Sequence, residues 1–139
     1  MIKRRIKMRD KIFVSYRDDD EGRRHKNLLV AWSENKSFPE ISFYDNSVGT
    51  SINSENAKYI KYIISDKIKN SDIFLCLIGE HTHKSEWVAW EIKKAEELKK
   101  SIIAVKINKN YTTPIDLYRT GASWAFDFSK SSILNAMNY

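Results

Sequence analysis

Asp72-Ile73-Phe74-Leu75-Cys76-Leu77-Ile78-Gly79 decides how the rest of the chain is read. After Asp72 come six apolar residues and then a glycine. A strand wet on one face alternates apolar with polar side chains. An unbroken apolar run is covered on both faces, as a central strand of a parallel sheet is. Lys11-Ile12-Phe13-Val14-Ser15-Tyr16 on one side and Ile102-Ile103-Ala104-Val105 on the other are further short β-rich runs. Ile41-Ser42-Phe43-Tyr44 and Trp124-Ala125-Phe126 supply two more. Helical spacing fills the gaps. Leu28, Leu29 and Trp32 give an inner face to a helix over about 21–34, and Ala57, Ile60, Ile64 and Ile68 to one that starts near Asn53 or Ser54. A third helix runs over about 85–99 and a last one over about 129–137. Strands alternating with helices predict an α/β fold, a three-layer sandwich of the flavodoxin-like type. Its five-stranded parallel sheet takes the order 2-1-3-4-5, with helices on both faces.

The chain has 139 residues, enough for one domain over 11–139 with its own core. Apolar residues make up 42% and charged residues 30%, the balance of an ordinary globular protein. The formal charge is +6, of which residues 1–11 carry +5: six Lys and Arg against Asp10. Residues 1–10 thus read as a basic arm. No aromatic residue interleaves with its charges, so a solvated leader is preferred to a nucleic-acid contact. No apolar stretch approaches the ~20 residues of a membrane helix, and no signal-peptide core follows the arm. The single cysteine, Cys76, lies in the central strand and reads as a buried thiol in a reducing compartment. A cytoplasmic location is expected.

In an open α/β sheet, ligands bind beyond the carboxyl ends of the strands where the strand order reverses, here between strands one and three. Ser15-Tyr16-Arg17-Asp18, Asp45 to Ser54 and Gly79 to Glu91 meet there. On a helical wheel at ~100° per residue, Glu91 falls among Val88, Ile92, Ala95 and Leu98, away from Glu86, Lys93, Glu96 and Glu97. A carboxylate on a core-facing stripe costs free energy unless it is paired or lines a cleft. Two readings stay open: an ion pair with Arg17 or another base, or a working carboxylate.

Ser85-Glu86-Trp87-Val88-Ala89-Trp90-Glu91-Ile92 resembles the TIR-domain signature S-x-W-C-x-x-E-L, with valine in place of the usual cysteine. Lys11 to Tyr16 is similar to the first TIR box. Phe43-Tyr44-Asp45 with Gly49 is similar to the start of the so-called BB loop, and Ile60 to Ser71 to the pattern I-x-x-x-I-x-x-S. The four occur in order over about residues 11–107. Val14 to Asp19, Leu77 to Thr82 and the second tryptophan, Trp90, make the chain most similar to the bacterial Thoeris antiphage-defence TIR group.

The resemblance implies an enzyme that senses infection, cleaves NAD at the nicotinamide–ribose bond and makes a cyclic ADP-ribose-type messenger for a partner effector. NAD is then substrate, with no resident cofactor or metal, and a phage-derived trigger and self-association are expected. It implies that Glu91 is catalytic. Ser15, Tyr16 and Arg17 lie where TIR domains approach the nucleotide. Arg17 is a phosphate contact or a partner of Asp18 to Asp20 or Glu91. Asp45 and Ser51 belong to the gating BB loop, and Trp87 stacks on a substrate ring or belongs to the core. The loop Asp45-Asn46-Ser47-Val48-Gly49-Thr50 lacks the frequent Arg-Asp-x-x-Pro-Gly.

Other assignments fare less well. Strand three ends Leu77-Ile78-Gly79, without the phosphoacceptor aspartate of a receiver domain. Neither G-x-G-x-x-G nor a P-loop occurs. His81 and His83 are two ligands without a third, read as loop histidines and not as a metal site. A non-enzymatic TIR adaptor acting by self-assembly and a nucleotide-messenger receptor remain as alternatives.

Overall fold

The computed structural model describes residues 10–44 and 50–138. Residues 1–9 of the basic arm, residues 45–49 (with Asp45 and Gly49) and Tyr139 lie outside the described residues. The strands are β1 (Lys11–Tyr16), β2 (Glu40–Ser42), β3 (Ile73–Ile78), β4 (Ser101–Lys106) and β5 (Ser123–Ala125). The helices are α1 (Asp20–Glu34), α2 (Glu55–Lys69), α3 (Glu86–Glu97) and α4 (Lys130–Ala136). The sheet has the order β2-β1-β3-β4-β5, and every pairing is parallel. β3 is central and wholly buried, as its unbroken apolar run requires.

Alternation along the strands divides the core in two. Ile12, Val14, Tyr16, Leu75, Leu77 and Val105 face α1 and α4, where Leu29 and Ile133 close the layer. Phe13, Phe74, Cys76, Ile102 and Ala104 face α2 and α3, under Ile60, Ile64, Ile68, Val88, Ile92 and Ala95. The four residues assigned to the inner face of α2 are all buried.

Two expectations need correction. Leu28 is 43% exposed, so it does not line the inner face of α1. That face is formed by Gly22, Lys26 and Leu29, spaced four and three apart, with Trp32 partly buried. Strand two begins at Glu40 and stops at Ser42, because only Lys11 to Phe13 of β1 pair with it. Phe43 and Tyr44 leave the ladder and pack against opposite core layers.

Local chemistry sets the helix starts that matter for function. Asp19 caps α1 by accepting the Gly22 N–H at 2.8 Å, and Asp20 and Glu21 complement the helix dipole. A Cβ on Gly22 would stand 2.0 Å from the Arg17 carbonyl oxygen, so the tight exit from β1 admits only glycine there. Ser85 caps α3 by accepting the Val88 N–H at 3.1 Å. At the entry to α2, Ser54 holds the N-cap position, but its hydroxyl donates back to the Ser51 carbonyl at 2.8 Å. Among the described residues, no helix is long and apolar enough to cross a membrane.

Candidate active site

Parallel register aligns Ser15 with Cys76 and Cys76 with Ala104. Three neighbouring strands therefore carry a small side chain at one level of the face that α3 covers. The Glu91 side chain descends into the room they leave. It is 5% exposed, and Oε1 accepts a hydrogen bond from the Ser15 hydroxyl at 2.6 Å. Burial pushes its carboxyl from an ordinary value of 4.5 up to about 8, and the Ser15 hydrogen bond, which favours the charged form, opposes that rise. Burial, with the nearby Glu91 charge second, likewise raises the Cys76 thiol far above its usual range. Cys76 is thus an unreactive filler, as its place in the apolar run suggested.

Among the described residues, no base holds the Glu91 carboxyl in an ion pair. Arg17 donates from Nη1 to the His81 carbonyl at 2.8 Å and approaches Asp19 at 3.6 Å. Asp18 and Asp20 hold Arg23, at 2.6 and 2.8 Å. Between the two open readings of Glu91, its described partner is a neutral hydroxyl that fixes its orientation.

The remaining expected site residues fall in three places. Tyr16 follows Ser15 in β1, so its buried ring points to the opposite, α1 face. Trp87 lies one turn before Glu91, half-buried and edge-on to Trp90. Its indole N–H donates to the Thr50 carbonyl at 2.9 Å, tying the stretch before α2 to the first turn of α3. Ser51, next to Thr50, is exposed, and its hydroxyl accepts the Asn53 N–H at 3.3 Å. His81 and His83 are exposed, with His81 3.7 Å from Glu80. Among the described residues, no three potential metal-binding side chains cluster.

The sequence reading missed a clamp across the carboxyl edge. Glu21, in the first turn of α1, accepts the Glu80 N–H and the Tyr111 hydroxyl proton, each at 2.8 Å. It thus joins α1 to the loops after β3 and β4. Arg17 grips the same β3 loop through His81. A signal was present in Gly79: a Cβ there would stand 2.7 Å from Glu21 Oε1. Also missed was Lys26, a buried lysine whose ammonium lies over the rings of Phe43 and Tyr16, at 4.0 and 5.5 Å from their centres. Its spacing from Gly22 and Leu29 would have placed it on the inner face.

Residues 13–112 match the family model described as Thoeris protein ThsB, TIR-like domain. The chain belongs to the ThsB TIR-like family. The match takes in β1 from Phe13 onward, Glu91 and the Glu21 clamp. No curated protein matches this ThsB TIR-like chain. Among solved structures it is similar to a 2-deoxyribosyltransferase from Bacillus psychrosaccharolyticus, with a TM-score of 0.66 and 15% identity over 93% of this chain and 91% of that one. It is also similar to a CMP N-glycosidase, BcmB, from Clostridium botulinum, with a TM-score of 0.60 and 16% identity over 94% and 100%. At such identities the likeness is one of fold.

Proposed function

We propose that this ThsB TIR-like chain is an enzyme of antiphage defence. It cleaves NAD at the nicotinamide–ribose bond and forms a cyclic ADP-ribose-type nucleotide that activates a separate effector. The observation that carries the reading is the buried Glu91 carboxyl, held at 2.6 Å by Ser15 at the end of β1, where the strand order reverses. Family membership supports the defence role. The two fold relatives support chemistry at a bond between a sugar and a base, since one is described as a 2-deoxyribosyltransferase used to make nucleosides and the other as a CMP N-glycosidase.

The chemistry suits a single oriented carboxylate. When the ribose C1′–N bond breaks, its electron pair leaves with nicotinamide, which departs as a neutral ring and needs no proton. C1′ takes on oxocarbenium character. A carboxylate fixed beside it stabilises that charge as it develops, without reorganising. A nucleophile of the same molecule then bonds to C1′ and loses its proton, which closes a cyclic product. Attack by water gives linear ADP-ribose instead. Burial makes Glu91 a reluctant anion before substrate binds. The positive nicotinamide ring of NAD favours the ionised form on arrival, so the group is charged when the charge is needed.

The test is made in infected cells. Lysates of phage-infected cells carrying the wild type should accumulate a nucleotide with the mass of ADP-ribose minus water, while cells carrying Glu91→Gln should not. If Glu91→Gln cells are still protected and no such nucleotide appears in either culture, the enzymatic reading falls and a role by assembly or messenger binding replaces it.

A further inference from the structure

Besides the exposed Arg24, three partly or wholly buried cations occupy the end of β1 and the first two turns of α1 at the candidate site. Arg17 is engaged by the His81 carbonyl and Asp19, and Arg23 by Asp18 and Asp20. The third, Lys26, is 5% exposed. Among the described residues, its contacts are the ring faces of Phe43 and Tyr16. Two ring faces offset only part of the cost of burying an ammonium. A partner of opposite charge would complete it.

The position of Lys26 bears on what that partner is. Tyr16 is the last residue of β1, and Phe43 is the first after β2, so the ammonium stands at the carboxyl end of both strands. Glu91 is bonded to Ser15, the residue before Tyr16. Consecutive strand residues point to opposite faces. The carboxyl and the ammonium therefore flank the end of β1 from opposite sides of the sheet. The geometry points to Lys26 as the contact for a phosphate group of the substrate, so that the site takes a phosphorylated nucleotide lying across the end of β1, its ribose at Glu91 and its phosphate at Lys26. This rests on the proposed function for the identity of the ribose end. For the phosphate end it rests only on the placement of Lys26.

Binding tests it without turnover, in a Glu91→Gln background. NAD and nicotinamide riboside share the glycosidic bond, and only NAD carries phosphate. Lys26→Met should weaken NAD binding by about tenfold or more and leave nicotinamide riboside within about twofold. Lys26→Arg, which keeps the charge, should recover much of the NAD affinity. Melting temperatures show that each variant is folded. An equal loss for both ligands, an unchanged NAD affinity, or binding of neither ligand by the Lys26 protein would overturn the assignment. If NAD binds through Lys26 but the wild type releases no nicotinamide in any condition, the catalytic reading fails and the phosphate contact stands.

Discussion

Glu91 gives two predictions whose signs follow from its burial. Its carboxyl is raised from 4.5 to about 8 in the fold. The stability linked to its proton is therefore fully present below about pH 4.5, and it is lost as pH rises through about 8. Glu91→Gln abolishes that loss. In thermal melts the variant and the wild type should run close together at pH 5, with the variant about 10 °C higher at pH 9. Wild-type stability that does not fall with pH relative to the variant would contradict the burial argument. Under the proposed function, catalysis should show the opposite slope. If the ionised form works, kcat/KM rises with pH toward a limb near 8, and the limb in kcat lies lower because bound nicotinamide is positive. Ser15→Ala removes the bond that favours the charged form. Its kcat/KM limb should move to higher pH, with about a tenfold loss at pH 7 that shrinks in alkali. A loss of equal size at every pH would instead make Ser15 a structural residue.

Helices and strands were legible in proportion to their periodicity. β3, β4, α2 and α3 announce themselves through an apolar run or a repeating stripe, and their inner faces were read correctly. The anomaly of Glu91 on its stripe was legible for the same reason. Its partner was not. Ser15 lies 76 residues away, and only the register of β1 with β3, together with the seating of α3, makes them meet. Sequence pattern places both at one edge and stops there. Lys26 went unread because a lysine seldom faces a core, and Leu28 was misplaced because the buried stripe of α1 runs through Gly22, Lys26 and Leu29, which leaves Leu28, ~100° round the helix, on its exposed flank. The two glycines of the edge test the local account. Gly22→Ala forces a Cβ onto backbone and should cost about 3 kcal/mol. Gly79→Ala meets only the end of the Glu21 side chain and should cost about 1 kcal/mol. Denaturant titration checks the ranking, and the reverse order would mean that the exit from β1 is not held by the Gly22 contact.

At the scale of the molecule, the sheet order brings the working groups together. β1 and β3 are neighbours, yet the chain reaches β3 only after visiting β2, so the strand order reverses between them. α1 and α3 then pack on opposite faces beside the same strand end. The Glu21 clamp and the Trp87–Thr50 bond fasten the surrounding loops to these helices, leaving a carboxyl held in a dry, fixed position. Such a placement costs stability, as the pH dependence should show, and under the proposed function it serves the charge that develops on a ribose. One measurement addresses this most directly: purified wild type and Glu91→Gln, at high protein concentration with NAD, followed by chromatography for free nicotinamide. The account predicts release by the wild type and at least ~100-fold slower release by the variant. Release at equal rates by both proteins would contradict it.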